Sequence, residues 1–176
     1  MKYFCVRWGN VHYTKTALEE WIANKYIEEQ IYNPQDIDVY CIAKHYGIYV
    51  HLKSIPARFD ICGDYKAIVL DNRSTHEEQN EQFFHELCHI LRHAGHQTIM
   101  PNAFRELQER DAKHFTMYAS IPYFMLDNYD LENPNIVYEL SCEFKVTEKL
   151  CLERLKHIKR NNFAYRLHRH VIGKAP

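Results

Sequence analysis

Glu81-Gln82-Phe83-Phe84-His85-Glu86-Leu87-Cys88-His89-Ile90-Leu91-Arg92-His93 is the stretch on which the reading of this chain turns. Just ahead of it, Thr75-His76-Glu77-Glu78 has the form of a capping box, in which a threonine and a glutamate three residues on satisfy each other's backbone N–H groups. A helix is therefore expected from there to about His93, with Gly95 as its stop. On a helical wheel Phe83, Phe84, Leu87, Ile90 and Leu91 fall within about 120°, and His85, Glu86, His89 and His93 share a separate arc of about 100°. The first arc is a core face. The second gathers three imidazoles and a carboxylate.

His85-Glu86-Leu87-Cys88-His89 matches HExxH, a spacing that lets two imidazoles one helical turn apart reach one ion while the glutamate reaches a water beside it. In a chain with twelve histidines the five letters alone are weak, and a solvated polar face or a closed structural metal site are the plain alternatives. The segregation of the two arcs favours a site, and no cysteine lies on the ligand face. A hydrolytic zinc site uses three protein ligands and an open fourth position. The HExxHxxGxxH extension is excluded by Arg92 and Gly95, with His96 one place late. The next helix offers Glu106, Glu109, Asp111 and His114. Glu109 and Asp111 point about 160° apart, so only one of them can face the ion. The small Ala112 and Thr116 on Glu109's face favour Glu109, with Asp111 as the alternative.

Around this core, 176 residues with 46% hydrophobic and 26% charged side chains make a compact domain rather than a disordered or fibrous chain. The 22 Lys and Arg against 23 Asp and Glu leave a net charge of −1, which excludes the whole chain as an electrostatic nucleic-acid binder. No run of about 18 apolar residues and no signal-peptide pattern occur, so no membrane association and a cytoplasmic location are expected. Six cysteines scattered singly, without a CxxC pair, read as reduced thiols.

The remaining elements give an α+β fold. A first helix starts at Thr16-Ala17-Leu18-Glu19 and shows an apolar stripe of Leu18, Trp21, Ile22, Tyr26 and Ile27. A second is expected over Asp36 to Tyr46 on Ile37, Tyr40, Cys41 and Lys44, ended by Gly47. Ile48 to Leu52, Arg58 to Cys62 and Tyr65 to Leu70 read as a small antiparallel β-sheet, with Gly63-Asp64 as a hairpin turn. Pro101 precedes a helix over Ala103 to Ser120. Helices over Ile136 to Phe144 and Glu148 to Ile158 follow, the latter capped by Thr147. We divide the chain into residues 1–135 and a C-terminal helical extension, 136–176, belonging to the same compact unit. After Glu153 seven Lys and Arg occur with no acid, and the last two helices admit a helix-turn-helix reading. A DNA-binding regulator with a structural or vestigial metal site is thus the competing function.

The run Glu81 to His93, followed by Phe104-Arg105-Glu106-Leu107-Gln108-Glu109-Arg110-Asp111-Ala112 and then Phe115, Tyr118 and Pro122, resembles the ImmA/IrrE metallopeptidase family. The resemblance covers about residues 16 to 128, not the N-terminal dozen or the tail, and lies within residues 1–135, which we read as the metallopeptidase domain. In that family the glutamate three residues before the alanine completes the zinc site, which implies Glu109. The chain departs from the family at Lys113, where Asn or Asp is frequent, and at Ser120-Ile121 before Pro122.

The resemblance implies an intracellular zinc endopeptidase, of the anti-repressor type found on prophages and other mobile elements, whose protein substrate is a helix-turn-helix repressor. The residues themselves imply the chemistry. One Zn2+ held by His85, His89 and Glu109 activates water and polarises the scissile carbonyl, while Glu86 acts as base and passes the proton to the leaving amine. His93, Tyr118, Tyr123 and His114 are candidates for supporting the ligands or facing the substrate, and one of the last three for stabilising the oxyanion.

Overall fold

The computed structural model of the chain describes residues 5–8, 11–93 and 101–172. Strands β1 (Cys5–Trp8) and β2 (Val11–Thr14) form an antiparallel hairpin and lead into helix α1 (Ala17–Glu28). The capping box is present at its start. Thr16 Oγ1 accepts from the Glu19 N–H at 3.2 Å, and Glu19 Oε2 accepts from the Thr16 N–H at 2.8 Å. Ile22, Ala23 and Tyr26 carry the buried face, while Ile27, expected on it, is exposed.

Helix α2 (Val39–His45) starts later than its sequence pattern suggests, because Asp38 accepts hydrogen bonds from the Tyr40 and Cys41 N–H groups and so becomes the N-cap. That shift turns Val39, Ile42 and Ala43 inward and leaves Tyr40 and Cys41 exposed. Gly47 follows at φ +65°, the left-handed conformation that costs glycine least.

Strands β3 (Ile48–Lys53), β4 (Arg58–Cys62) and β5 (Tyr65–Asp71) form one sheet in the order β3-β5-β4. The β4–β5 hairpin is antiparallel as expected, but β3 pairs with β5 in parallel, so the sheet is mixed rather than antiparallel. Ala67, Ile68, Val69 and Leu70 of β5 are all buried, pointing alternately to both faces of the sheet. A strand apolar on both faces belongs in the centre, where it also has two neighbours to hydrogen-bond. β5 therefore returns into the gap between β3 and β4, leaving β4 on the edge.

Helix α3 (His76–Arg92) opens with the second capping box and lies against the sheet. Helix α4 (Asn102–Ser120) packs on α3, and its small Ala112 and Thr116 are buried. The expected stop at Gly95 lies outside the described residues. A 3-10 segment (Tyr123–Asn128) leads to helix α5 (Ile136–Phe144), and a turn with Lys145 at φ +52° leads to helix α6 (Glu148–Ile172). That turn is tied to α3, since Asn80 donates to the Lys145 carbonyl at 2.9 Å and the Thr147 N–H donates to Glu81 at 2.8 Å. Thr147 Oγ1 also accepts from the Leu150 N–H, the expected cap. α6 runs well past Ile158, because nothing in the following residues, up to Gly173, breaks a helix.

One apolar core joins α1 to α6 and the sheet, and α5 and α6 supply Leu140, Phe144, Leu150, Leu155 and Ile158 to it. Arg154, grouped by sequence with the basic tail, is instead fully buried. Its guanidinium lies 2.7 Å from Glu19, donates to the Ile121 carbonyl and the Tyr13 hydroxyl, and covers the Tyr118 ring at 4.9 Å. The side chains of Arg166 and Arg169, and Lys174 altogether, lie outside the described residues. Among the described residues no helix is long and apolar enough to cross a membrane.

Candidate metal centre

Two consecutive helices converge on one point. His85 and His89 lie a turn apart on α3, with their Nε2 atoms 3.3 Å from each other. From α4, Glu109 brings Oε2 to 3.2 Å from His85 Nε2 and Oε1 to 3.5 Å from His89 Nε2. Ligands at the zinc–nitrogen distance of about 2.0–2.1 Å in a tetrahedron stand about 3.3–3.4 Å apart. The two imidazole nitrogens therefore have the spacing of one edge of such a tetrahedron, each has a Glu109 oxygen at a similar distance, and the set of two imidazoles and a carboxylate suits a zinc ion. His89 is buried, whereas His85 and Glu109 are partly exposed, so the centre opens on their side.

Burial also favours the right protonation state. It lowers the His85 pKa and, with the neighbouring His85 as a further cause, brings that of His89 down to about 4. Both rings are held neutral, the form that offers a lone pair to a cation. Glu86 is buried next to them. Burial, and then the charge of Glu109, raise its carboxyl to about 7, opposed by one backbone hydrogen bond from Phe59.

Phe59 also stacks its ring on His89, with centroids 5.5 Å apart and planes at 21°. No sequence pattern marks this residue, because its contribution is a main-chain group and a ring on an edge strand whose partner lies far along the chain. β4 is that edge strand.

Asp111, the alternative third ligand, faces elsewhere. Burial would raise its pKa, but hydrogen bonds from Arg92 (2.9 Å) and His93 (3.1 Å) outweigh this and hold it below the usual carboxylate value. His93 in turn places Nδ1 at 2.9 Å from His89 Nδ1. Among the described residues Cys88, His93 and Asp111 form a second group with donor atoms close together. Arg92 already supplies the cation there, and burial followed by the charge of Asp111 pushes the Cys88 thiol up, keeping it protonated. The His85, His89 and Glu109 group is the better cation site.

The other candidates lie apart from this cluster. Glu106 is exposed on α4. Tyr118 is buried, with its hydroxyl paired with His157 at 3.1 Å and its ring under Arg154. Tyr123 is buried beside Tyr13 with Lys15 over its ring. His114 stacks on Tyr118 and lines a cleft between α4 and α6.

The model of the peptidase M78 family, described as an IrrE N-terminal-like domain, matches residues 35–156. The chain is 36% identical over 145 residues to the phage-like element PBSX protein XkdA of Bacillus subtilis (strain 168), covering 81% of this chain and 73% of that protein. It is 32% identical over 148 residues to the uncharacterized protein YqaB of the same organism, covering 82% and 86%. No solved structure matches it. A match over more than half of the chain, bracketing both converging helices, makes the assignment: the chain belongs to the ImmA/IrrE family of metallopeptidases.

Proposed function

We propose that this chain is a zinc-dependent endopeptidase that uses His85, His89 and Glu109 to hold the ion and Glu86 as the base. The observation that carries this reading is the convergence of two imidazole nitrogens 3.3 Å apart with the Glu109 carboxylate, whose oxygens lie 3.2 and 3.5 Å from them, and a buried carboxyl of raised pKa beside the three. When bound there, zinc supplies a Lewis acid for the scissile carbonyl and lowers the pKa of water toward about 7. Glu86 takes the proton of the attacking water and returns it to the leaving amine. A carboxyl poised near neutrality suits both transfers. His89 is fixed for this task by the Phe59 ring on one side and His93 on the other. The outer edge of β4, from which Phe59 reaches Glu86, offers main-chain groups that an extended substrate would pair with as an added strand.

The substrate in this reading is a helix-turn-helix repressor of a prophage or integrative element, cleaved in the cytoplasm. The match to a protein of a phage-like element supports that setting. Incubating the purified, zinc-loaded protein with repressors encoded beside its gene, with and without a chelator, is the test. Chelator-sensitive cleavage at one bond is expected. A metal-loaded protein that leaves every such repressor intact, or cleavage that survives complete removal of metal, refutes the proposal.

A further inference from the structure

Between α4 and α6 lies an open cleft of about 410 Å³, whose walls carry Arg110, Lys113, Lys156 and Arg160 against the single carboxylate of Glu153. A second cleft, of about 340 Å³, is lined by His85 at one end and again by Lys113 and Glu153. The two share these residues and so adjoin, as the inner part of a trough beside His85 and its outer part between α4 and α6. Its character changes along the way. Near His85 the charges balance, with Glu81 and Glu153 against Lys113 and Lys149, whereas farther out four cations face one acid. On a chain of net charge −1 this concentration is local.

We infer that the outer trough is a substrate subsite that takes the acidic side chains of a peptide whose scissile bond lies at the metal centre. This deepens the peptidase reading and rests on it. Glu153 to Arg160 spans seven residues of helix, about 10.5 Å, which matches about three residues of extended peptide. The occupant is a peptide rather than a nucleic acid, because a continuous polyanion running into the centre would pass the carboxylates of Glu81 and Glu153, whereas a peptide can carry its acids only where the cations are. The floor of the outer cleft includes the buried Met117, which gives the peptide's apolar stems a surface.

The test uses the full chain loaded with zinc and three labelled probes, followed by fluorescence anisotropy. The probes are a decapeptide with three consecutive glutamates, its glutamine counterpart, and a single-stranded DNA 12-mer. The acidic peptide binds more tightly than the glutamine one, and Lys156→Glu with Arg160→Glu weakens it by about 3- to 30-fold, as expected for two partly exposed ion pairs. Both positions are exposed and neither lines the cleft that includes His85, so zinc content stays unchanged. A parallel profile of cleaved peptides, identified by mass spectrometry, shows Asp and Glu enriched at one side of the scissile bond, and the double variant loses that enrichment. Equal binding of the two peptides, indifference to the charge reversal, or tighter binding of the oligonucleotide overturns the inference. Absence of all cleavage with the binding preference intact faults the peptidase reading instead.

Discussion

His89 Nδ1 and His93 Nδ1 face each other at 2.9 Å, so one of them carries a proton and the other a lone pair. The direction follows from the ends of the chain. If His89 offers Nε2 to a metal, its Nδ1 carries the proton and donates it to His93, whose own proton then sits on Nε2 and is donated to Asp111 at 3.1 Å. Asp111, anchored by Arg92, thus orients a ligand two links away. His93→Ala is expected to weaken zinc binding by about 10- to 100-fold with helix content retained, as read by competition with a chromophoric chelator and circular dichroism. Unchanged affinity would remove the relay.

Glu86→Gln is expected to bind zinc with the stoichiometry of the natural chain and to lose about 10²- to 10⁴-fold in cleavage rate. Metal content by mass spectrometry and a cleavage time course check both halves. Substantial activity in the loaded variant would take the base out of the scheme.

The buried Arg154 supports the fold through Glu19 and Tyr13. Arg154→Met alone leaves the Glu19 charge buried without its partner and is expected to cost about 3–5 kcal/mol in urea unfolding. Adding Glu19→Gln should recover much of that loss. A single variant as stable as the natural chain would contradict this.

His157 gives a dependence on pH. Burial, and then the charge of Arg154, bring its pKa from 6.5 down to about 4. Between these values the unfolded chain binds a proton that the folded chain refuses, so this group's contribution to stability is full above pH 6.5 and declines as pH falls toward 4. The urea midpoint of His157→Gln should therefore fall less between pH 7 and 4.5 than that of the natural chain. Parallel curves would refute the assignment.

Much of this was legible because it is local. Both capping boxes, the apolar and polar arcs of α3, and the small residues beside Glu109 are patterns within a few helical turns. The parallel pairing of β3 with β5 was not, since strand order depends on which strand can bury both faces, a property of the assembled layers. The inward turn of Arg154 was hidden for the same reason. In a basic run it reads as solvated until Glu19 and Tyr13, more than a hundred residues earlier, are seen to meet it. Phe59 belongs to this group too, being a backbone donor on an edge strand that carries no side-chain signature.

X-ray absorption at the zinc edge of the loaded protein tests the central claim most directly. The account expects one ion per chain, with only nitrogen and oxygen neighbours at about 2.0–2.2 Å, including two imidazoles, and with the signal lost in Glu109→Ala but kept in Asp111→Ala. A sulfur neighbour at about 2.3 Å would put the ion on Cys88 instead and contradict it.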